Sequence, residues 1–155
     1  MRIVIQRVQR CSVEVEGNII GEIGKGMAIL LGIEEADTQE DIDWLCGKIS
    51  RLRIFDDENG VMNLDVQQTE GRVIVISQFT LFASTKKGNR PSYIRSAGEA
   101  FARPMYERFL ATLSGVLGSE VEHGEFGADM KVESINDGPV TLILDTDQLM
   151  TEPRR

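Results

Sequence analysis

The chain has 155 residues, 17 of them Lys or Arg against 25 Asp or Glu, for a net charge of −8 at neutral pH. That sign excludes a protein that grips nucleic acid through its whole surface and confines any such contact to a local patch. One domain of this length buries roughly 68–70% of its unfolded surface without disulfides or metal, and two cysteines are too few for a disulfide framework.

Cys11 and Cys46 each sit in an apolar pattern and read as small buried hydrophobes, which suits a reducing cytoplasm. Charges interrupt Met1-Arg2-Ile3-Val4-Ile5-Gln6-Arg7, and no stretch reaches about 18 apolar residues. A soluble, untargeted, cytoplasmic protein with no membrane contact is expected.

From Arg2 to Glu16 apolar and polar residues alternate over much of the length, which predicts a long strand bent midway. Gly17-Asn18 predicts a turn and Ile19 to Ile23 a short return strand. Gly24-Lys25-Gly26 reads as a second hairpin turn into a buried strand over Met27 to Ile33, making the first third a β-meander. That glycine pair lacks the full P-loop spacing and no helix follows it. Asp37 or Thr38 caps a helix over about 38–51, with Ile42, Leu45, Ile49 and Leu52 as its apolar stripe and Trp44 as an anchor at the stripe's edge. Ile54-Phe55 and Val61 to Leu64 flank an acidic turn that lacks the twelve-residue calcium pattern.

Val73-Ile74-Val75-Ile76 is a run of β-branched residues without polar alternation, the mark of a strand buried on both faces. Ser77-Gln78-Phe79-Thr80-Leu81 follows where that strand should surface. The densest basic stretch comes next, from Lys86 and Lys87 through Arg90 to Arg95: either a solvated loop or a patch for a phosphate backbone. A second helix is expected between about Gly98 and Ser114. Pro104 implies that it starts near Arg103 or has an irregular first turn, and Gly115 and Gly118 end it. Three short strands should follow, Glu120 to Phe126, Met130 to Ile135 and Val140 to Leu144, before a polar, frayed tail over Thr146 to Arg155. The polar patch Asn136-Asp137-Gly138-Pro139-Val140-Thr141 lies among them, and the two polar patches are expected to meet.

His123 is the only histidine, it sits in a weak strand pattern, and it reads as exposed and idle. Histidine-based metal sites and Ser-His or Cys-His pairs are therefore poorly supported, and no carboxylate pair stands at a buried strand end. What remains at the end of the buried run is hydroxyls, an amide side chain and backbone N–H groups that can face a carbonyl becoming an oxyanion.

Ser-Gln-Phe-Thr-Leu at 77–81 and Asn-Asp-Gly-Pro-Val-Thr at 136–141 resemble the two signature motifs of the D-aminoacyl-tRNA deacylases. Met-Arg-Ile-Val-Ile-Gln-Arg-Val at the start, Arg-Pro-Ser at 90–92 and Phe-Gly-Ala-Asp-Met at 126–130 extend the resemblance over nearly the whole chain. It implies a single α/β domain over about 1–146, followed by a polar tail at 147–155. Within the domain a β-barrel-like mixed sheet carries two main helices, and a homodimer places each active site at the subunit interface. It also implies hydrolysis of the ester joining a D-amino acid, or glycine, to the terminal adenosine of tRNA, without cofactor or metal. By the same resemblance Gly138 and Pro139, joined by a cis bond, reach into the partner's site as a chirality filter. Arg7 braces that motif, and Phe126 and Met130 lie near the adenosine and the pocket wall.

A threonine hydroxyl needs a base to become a nucleophile, and Thr80 has no histidine beside it in the sequence. An oxyanion hole of backbone N–H groups around Phe79 and Thr80, supported by Ser77 and Gln78, is the favoured mechanism. Lys86, Lys87 and Arg90 would then meet the tRNA acceptor stem. The rival is a dimeric nucleic-acid-binding adaptor on the same fold, without catalysis.

Overall fold

The computed structural model describes residues 1–149, and its frame is the opening strand β1, Arg2–Val15. Alternation does its expected work there: Ile3, Ile5, Cys11 and Val13 turn inward and are fully buried. On one edge of β1 lie β2 (Asn18–Ile23) and β3 (Gly26–Gly32), both antiparallel to it. Its other edge carries β8 (Lys131–Asp145), antiparallel over almost the full length. The strand β6 (Arg72–Ser77) joins β3 in parallel, and β7 (Glu122–His123) joins β6 in parallel. The resulting six-stranded sheet curls until β2 approaches β7. A Cβ on Gly21 would lie 2.5 Å from the His123 carbonyl oxygen, so the close approach that nearly shuts this barrel requires glycine.

Two hydrophobic clusters follow from the two faces of β6. Val73 and Val75 point to a core shared with the helices, while Ile74 and Ile76 point to a second cluster with Val8, Cys11, Val13 and Ala28. The double burial expected of this run is what the structure has. Helix α1 (Gln39–Arg51) opens with a capping box: Thr38 Oγ1 accepts from the Glu40 amide, and Asp41 accepts from the Thr38 amide at 2.8 Å. It packs on α2 (Glu99–Leu117), where the Cys46 thiol lies 3.8 Å from the Phe109 carbonyl. Both cysteines are buried and unpaired, and burial pushes the Cys46 thiol up to about 12. Trp44 packs against the same core with Lys48 over its ring. The acidic turn between β4 (Phe55–Asp56) and β5 (Met62–Leu64) is ordered by Asp57, whose Oδ1 accepts from the Asn59 and Val61 amides.

Four sequence expectations are corrected. Gly24-Lys25-Gly26 is no hairpin turn. Ile23 stands opposite Cys11 and Gly26 opposite Val8, so β2 and β3 run end to end in one direction with only a bend between them. Glycine is needed at 26 because β6 crosses there: a Cβ would sit 1.8 Å from the Arg72 carbonyl oxygen. The last two expected strands are one strand, β8, since β1 offers an unbroken partner edge. Helix α2 begins at Glu99 and runs straight through Pro104, with Arg103 bonded back to Glu99 across the same turn at 3.1 Å. Gly115 lies inside the helix and only Gly118, at φ 70°, terminates it. Finally, Thr146–Leu149 forms a helical turn, α3, with Thr146 buried against Met1; residues 150–155 of the expected tail lie outside the described residues. Among the described residues no helix is long and apolar enough to cross a membrane.

Candidate active site

The buried strand β6 delivers its polar end to the surface in a fixed position. Ser77 is still paired with Leu31 of β3, and the Gln78 amide donates to the Leu31 carbonyl at 2.8 Å. The chain then tightens into a 3-10 turn, Phe79–Phe82. Phe82 anchors the turn: it is buried, meets Gly32 below and lies under the guanidinium groups of Arg2 and Arg95 at 4.8 and 5.1 Å. The opening amides of such a turn have no partner within it. Those of Phe79 and Thr80 have no acceptor among the described residues.

The start of this turn, at Phe79, stands at a cleft of about 280 Å³, just under the range of about 300–1,000 Å³ typical of small-molecule sites. Ser77, Gln78 and Phe79 line it together with Phe126, Met130, Leu31 and Ile76. Phe126 is held by the tilted Tyr106 ring at 5.7 Å and by the Arg103 guanidinium over its face at 5.1 Å. Tyr106 in turn donates to the Val75 carbonyl at 3.1 Å, and burial drives its phenol far above its ordinary pKa, so it stays neutral. The cleft is therefore mostly apolar, with polar side chains from Ser77 and Gln78 at the end of β6 and from Asp129.

Thr80 does not line the cleft. Its hydroxyl accepts from the Gln78 side chain, which turns both groups toward each other. His123 is exposed on β7, its Nδ1 2.7 Å from the Gly124 carbonyl, and it does not line the cleft either. Among the described residues no group of His, Cys, Asp and Glu is arranged to hold a metal ion.

The second motif sits elsewhere. Gln6 pairs with Thr141 and Val8 with Asn136, so the single residue Arg7 faces the four residues Asp137, Gly138, Pro139 and Val140, which bulge out of β8. The Gly138-Pro139 bond is cis, both residues are exposed, and neither lines the cleft of its own chain. The expectation that the two polar patches meet is thus corrected for a single chain: β8 is separated from β6 by β1 and β3. Arg7 is nearly buried behind the bulge. It donates from Nε to the Asp137 carbonyl at 3.0 Å and from Nη1 to the Ile54 carbonyl at 2.7 Å. Asn136 Oδ1 accepts from the Val140 amide at 3.3 Å and closes the bulge from within.

Lys86, Lys87 and Arg90 are exposed at the tip of a loop whose base is closed by the Ser84 and Ser92 amides, each donating to the other's carbonyl at 2.8 Å. That loop returns through Tyr93, whose ring meets Phe79 edge-on at 5.1 Å, and Ser96, whose Oγ donates to the Phe79 carbonyl at 2.7 Å. Sequence reasoning missed both residues. No local pattern singles out a tyrosine and a serine that touch the first motif only through tertiary contact.

The family model D-Tyr-tRNA(Tyr) deacylase matches residues 4–145. A D-aminoacyl-tRNA deacylase of Bacteroides fragilis (strain YCH46) is 63% identical over 94% of this chain and 97% of its own length, and the Flavobacterium johnsoniae protein of the same name is 60% identical over the same shares. Among solved structures, a c-Myc DNA Unwinding Element Binding Protein matches with TM-score 0.88 and 39% identity, covering 94% of this chain and 98% of that one. A probable eukaryotic D-amino acid tRNA deacylase matches in fold, with TM-score 0.80 and 15% identity over 92% and 97% of the two chains. With its signature strands, its barrel-like sheet and relatives of this identity over almost their whole length, the chain belongs to the D-Tyr-tRNA(Tyr) deacylase family.

Proposed function

We propose that this protein hydrolyses the ester between a D-amino acid, or glycine, and tRNA, in the cytoplasm, as a homodimer whose two sites each draw on both copies. The observation that carries the reading is the pair of amides of Phe79 and Thr80, which have no acceptor among the described residues and open the turn whose first residue, Phe79, lines the cleft. It stands in a chain 63% identical to proteins named D-aminoacyl-tRNA deacylase.

Water attacks the ester carbonyl carbon, and its oxygen takes up the negative charge facing the two amides. The intermediate then collapses, expelling the ribose oxygen, which takes a proton and leaves as tRNA. Preorganised donors of this kind are worth about 10²–10³ in rate each. The substrate's own ribose 2′-hydroxyl positions or activates the water, since no histidine among the described residues lines the cleft. Ser77 and Gln78 support the turn, and Phe126 and Met130 take the adenosine and pocket-wall positions. Gly138 and Pro139 of the second copy hold the α-amino group through their carbonyls and leave no room for an L side chain. An apolar pocket discriminates by only about 1–3 kcal/mol, so rejecting L substrates calls for rigid backbone. Two features support the dimer: the bulge is exposed, and β8 turns Val132, Ile135 and Ile143 to solvent at 45%, 42% and 68% exposure. Lys86, Lys87 and Arg90 meet the acceptor stem.

A second reading, a dimeric nucleic-acid-binding module without turnover, is favoured by the name of the 39% identical solved protein. Hydrolysis of D-tyrosyl-tRNA and L-tyrosyl-tRNA by wild type and Thr80→Ala separates the two. The expected result is cleavage of the D ester alone, with Thr80→Ala retaining substantial activity. Binding of tRNA without cleavage of either ester would transfer the case to the second reading. A dead but folded Thr80→Ala would return the hydroxyl to a direct chemical role.

A further inference from the structure

Resting on the hydrolase reading above, we infer that Ser96 is a positioning residue for the reaction: its hydroxyl orients the peptide group between Phe79 and Thr80, and so aims the Thr80 amide at the developing oxyanion. A trans peptide group is planar, with its C=O and N–H pointing in opposite directions. Fixing the Phe79 oxygen therefore fixes the direction of the Thr80 N–H. Ser96 Oγ does this at 2.7 Å, at the short end of hydroxyl hydrogen bonds.

Both partners are tied to the same strand. On one side the Gln78 amide donates to the Leu31 carbonyl at 2.8 Å; on the other the Ala97 amide donates to the Ile33 carbonyl at 2.9 Å. Ser96 and Phe79 thus hang from two carbonyls at the end of β3, two residues apart. The serine is held further by its own amide, which donates to the Tyr93 carbonyl at 3.0 Å, and by the Arg95–Glu34 ion pair at 2.7 Å beside it. Tyr93 adds a ring contact to the Phe79 side chain at 5.1 Å. A loop that is basic at its tip is therefore, at its base, a brace for the turn that carries the amides. No other side-chain donor reaches the Phe79 carbonyl among the described residues. Binding groups for tRNA and the alignment of the oxyanion donors would then share one loop.

The test is steady-state hydrolysis of D-tyrosyl-tRNA by wild type, Ser96→Ala, Ser96→Cys and Ser96→Thr, with the ¹³C shift of the Phe79 carbonyl followed in parallel. Loss of alignment without loss of a substrate contact should lower kcat by about 10- to 10²-fold while KM stays within about twofold. Ser96→Thr keeps the hydroxyl and should stay near wild type. Ser96→Cys, close in size but a weak donor, should fall between Ser96→Thr and Ser96→Ala, and serves if the alanine variant does not fold. The Phe79 carbonyl shift should move in Ser96→Ala and hold in Ser96→Thr. An unchanged kcat in both Ser96→Ala and Ser96→Cys, or a loss confined to KM, overturns the inference. Wild type that cleaves no D ester sinks the hydrolase reading instead, whereas active wild type with indifferent Ser96 variants sinks only the role of Ser96.

Discussion

The two signature motifs lie on strands of opposite character. Ser77 to Leu81 ends a strand buried on both faces, and its polar groups open into a cleft of their own chain. Gly138-Pro139 lies in a four-residue bulge of a strand whose residues Lys131 to Ile135 are all exposed, and it does not line that cleft. The first motif thus borders a cleft of its own chain, while the second, braced from behind by Arg7, borders none there. The difference teaches that a rigid backbone element can be built away from the cleft of its own chain, and in the proposed dimer it serves the partner's.

The largest expected effect tests the first region. Phe79→Pro removes the amide donor at the first position of the 3-10 turn, where proline is tolerated and where Gln78, at φ −147° and ψ 83°, is already outside the α region that a following proline disfavours. Phe79→Ala removes the ring and keeps the N–H. Deacylation by the proline variant should be about 10²–10³ slower than by the alanine variant; equal rates would remove that amide from the mechanism.

Next comes the second region. A Cβ on Gly138 would meet Val140 Cγ2 at 2.9 Å and Arg7 Nη2 at 3.1 Å, at a φ of 129° that L residues rarely adopt. Gly138→Ala should displace the bulge and cut D-ester hydrolysis by about 10², with the melting profile of the β6 core little changed. If the two motifs act in one site across two copies, mixing folded Phe79→Pro and Gly138→Ala chains should restore activity in the heterodimer; no recovery would mean that each motif serves its own chain.

Arg7→Leu sharpens the contrast in stability. It leaves the half-buried Asp137 carbonyl and the buried Ile54 carbonyl without this donor, and a buried group so stranded costs about 1–3 kcal/mol. Thermal unfolding should fall accordingly, and a drop smaller than about 1 kcal/mol would mean that water replaces the guanidinium. The smallest effect belongs to the loop tip. Lys86→Glu with Lys87→Glu should weaken tRNA binding several-fold at low salt and much less at high salt, since exposed charges act through a screened field. A loss independent of salt would place these lysines outside the phosphate contact.

Much of the fold was legible because it is local. The cap of α1 at Thr38, one of the two residues offered for it, the stripe of α1, the alternation of β1 and the doubly buried run of β6 are set by neighbours a few residues apart, and each appears where the pattern predicts. The family resemblance was legible for the same reason, in two contiguous motifs, and the match over residues 4–145 agrees with it. Tertiary structure decided the rest. Gly24-Lys25-Gly26 has the composition of a turn, yet Gly26 is there because β6 passes within contact of it, and pairing along β1 keeps the chain running straight on. Two predicted strands fuse into β8 because β1 supplies a continuous row of hydrogen-bonding partners, which outweighs the local turn signal of Asp137-Gly138. Pro104 stays inside α2 because burial of Ala102, Met105 and Phe109 on one face outweighs a single missing backbone bond. Ser96 reaches the Phe79 carbonyl across 17 positions of sequence only because both segments bond to the end of β3. Sequence by itself determined where α1, β1 and β6 form and which polar groups end β6, since those depend on period and local backbone chemistry. Only the tertiary structure decided which of them meet, because pairing register and close backbone approach are properties of strands brought together from distant parts of the chain.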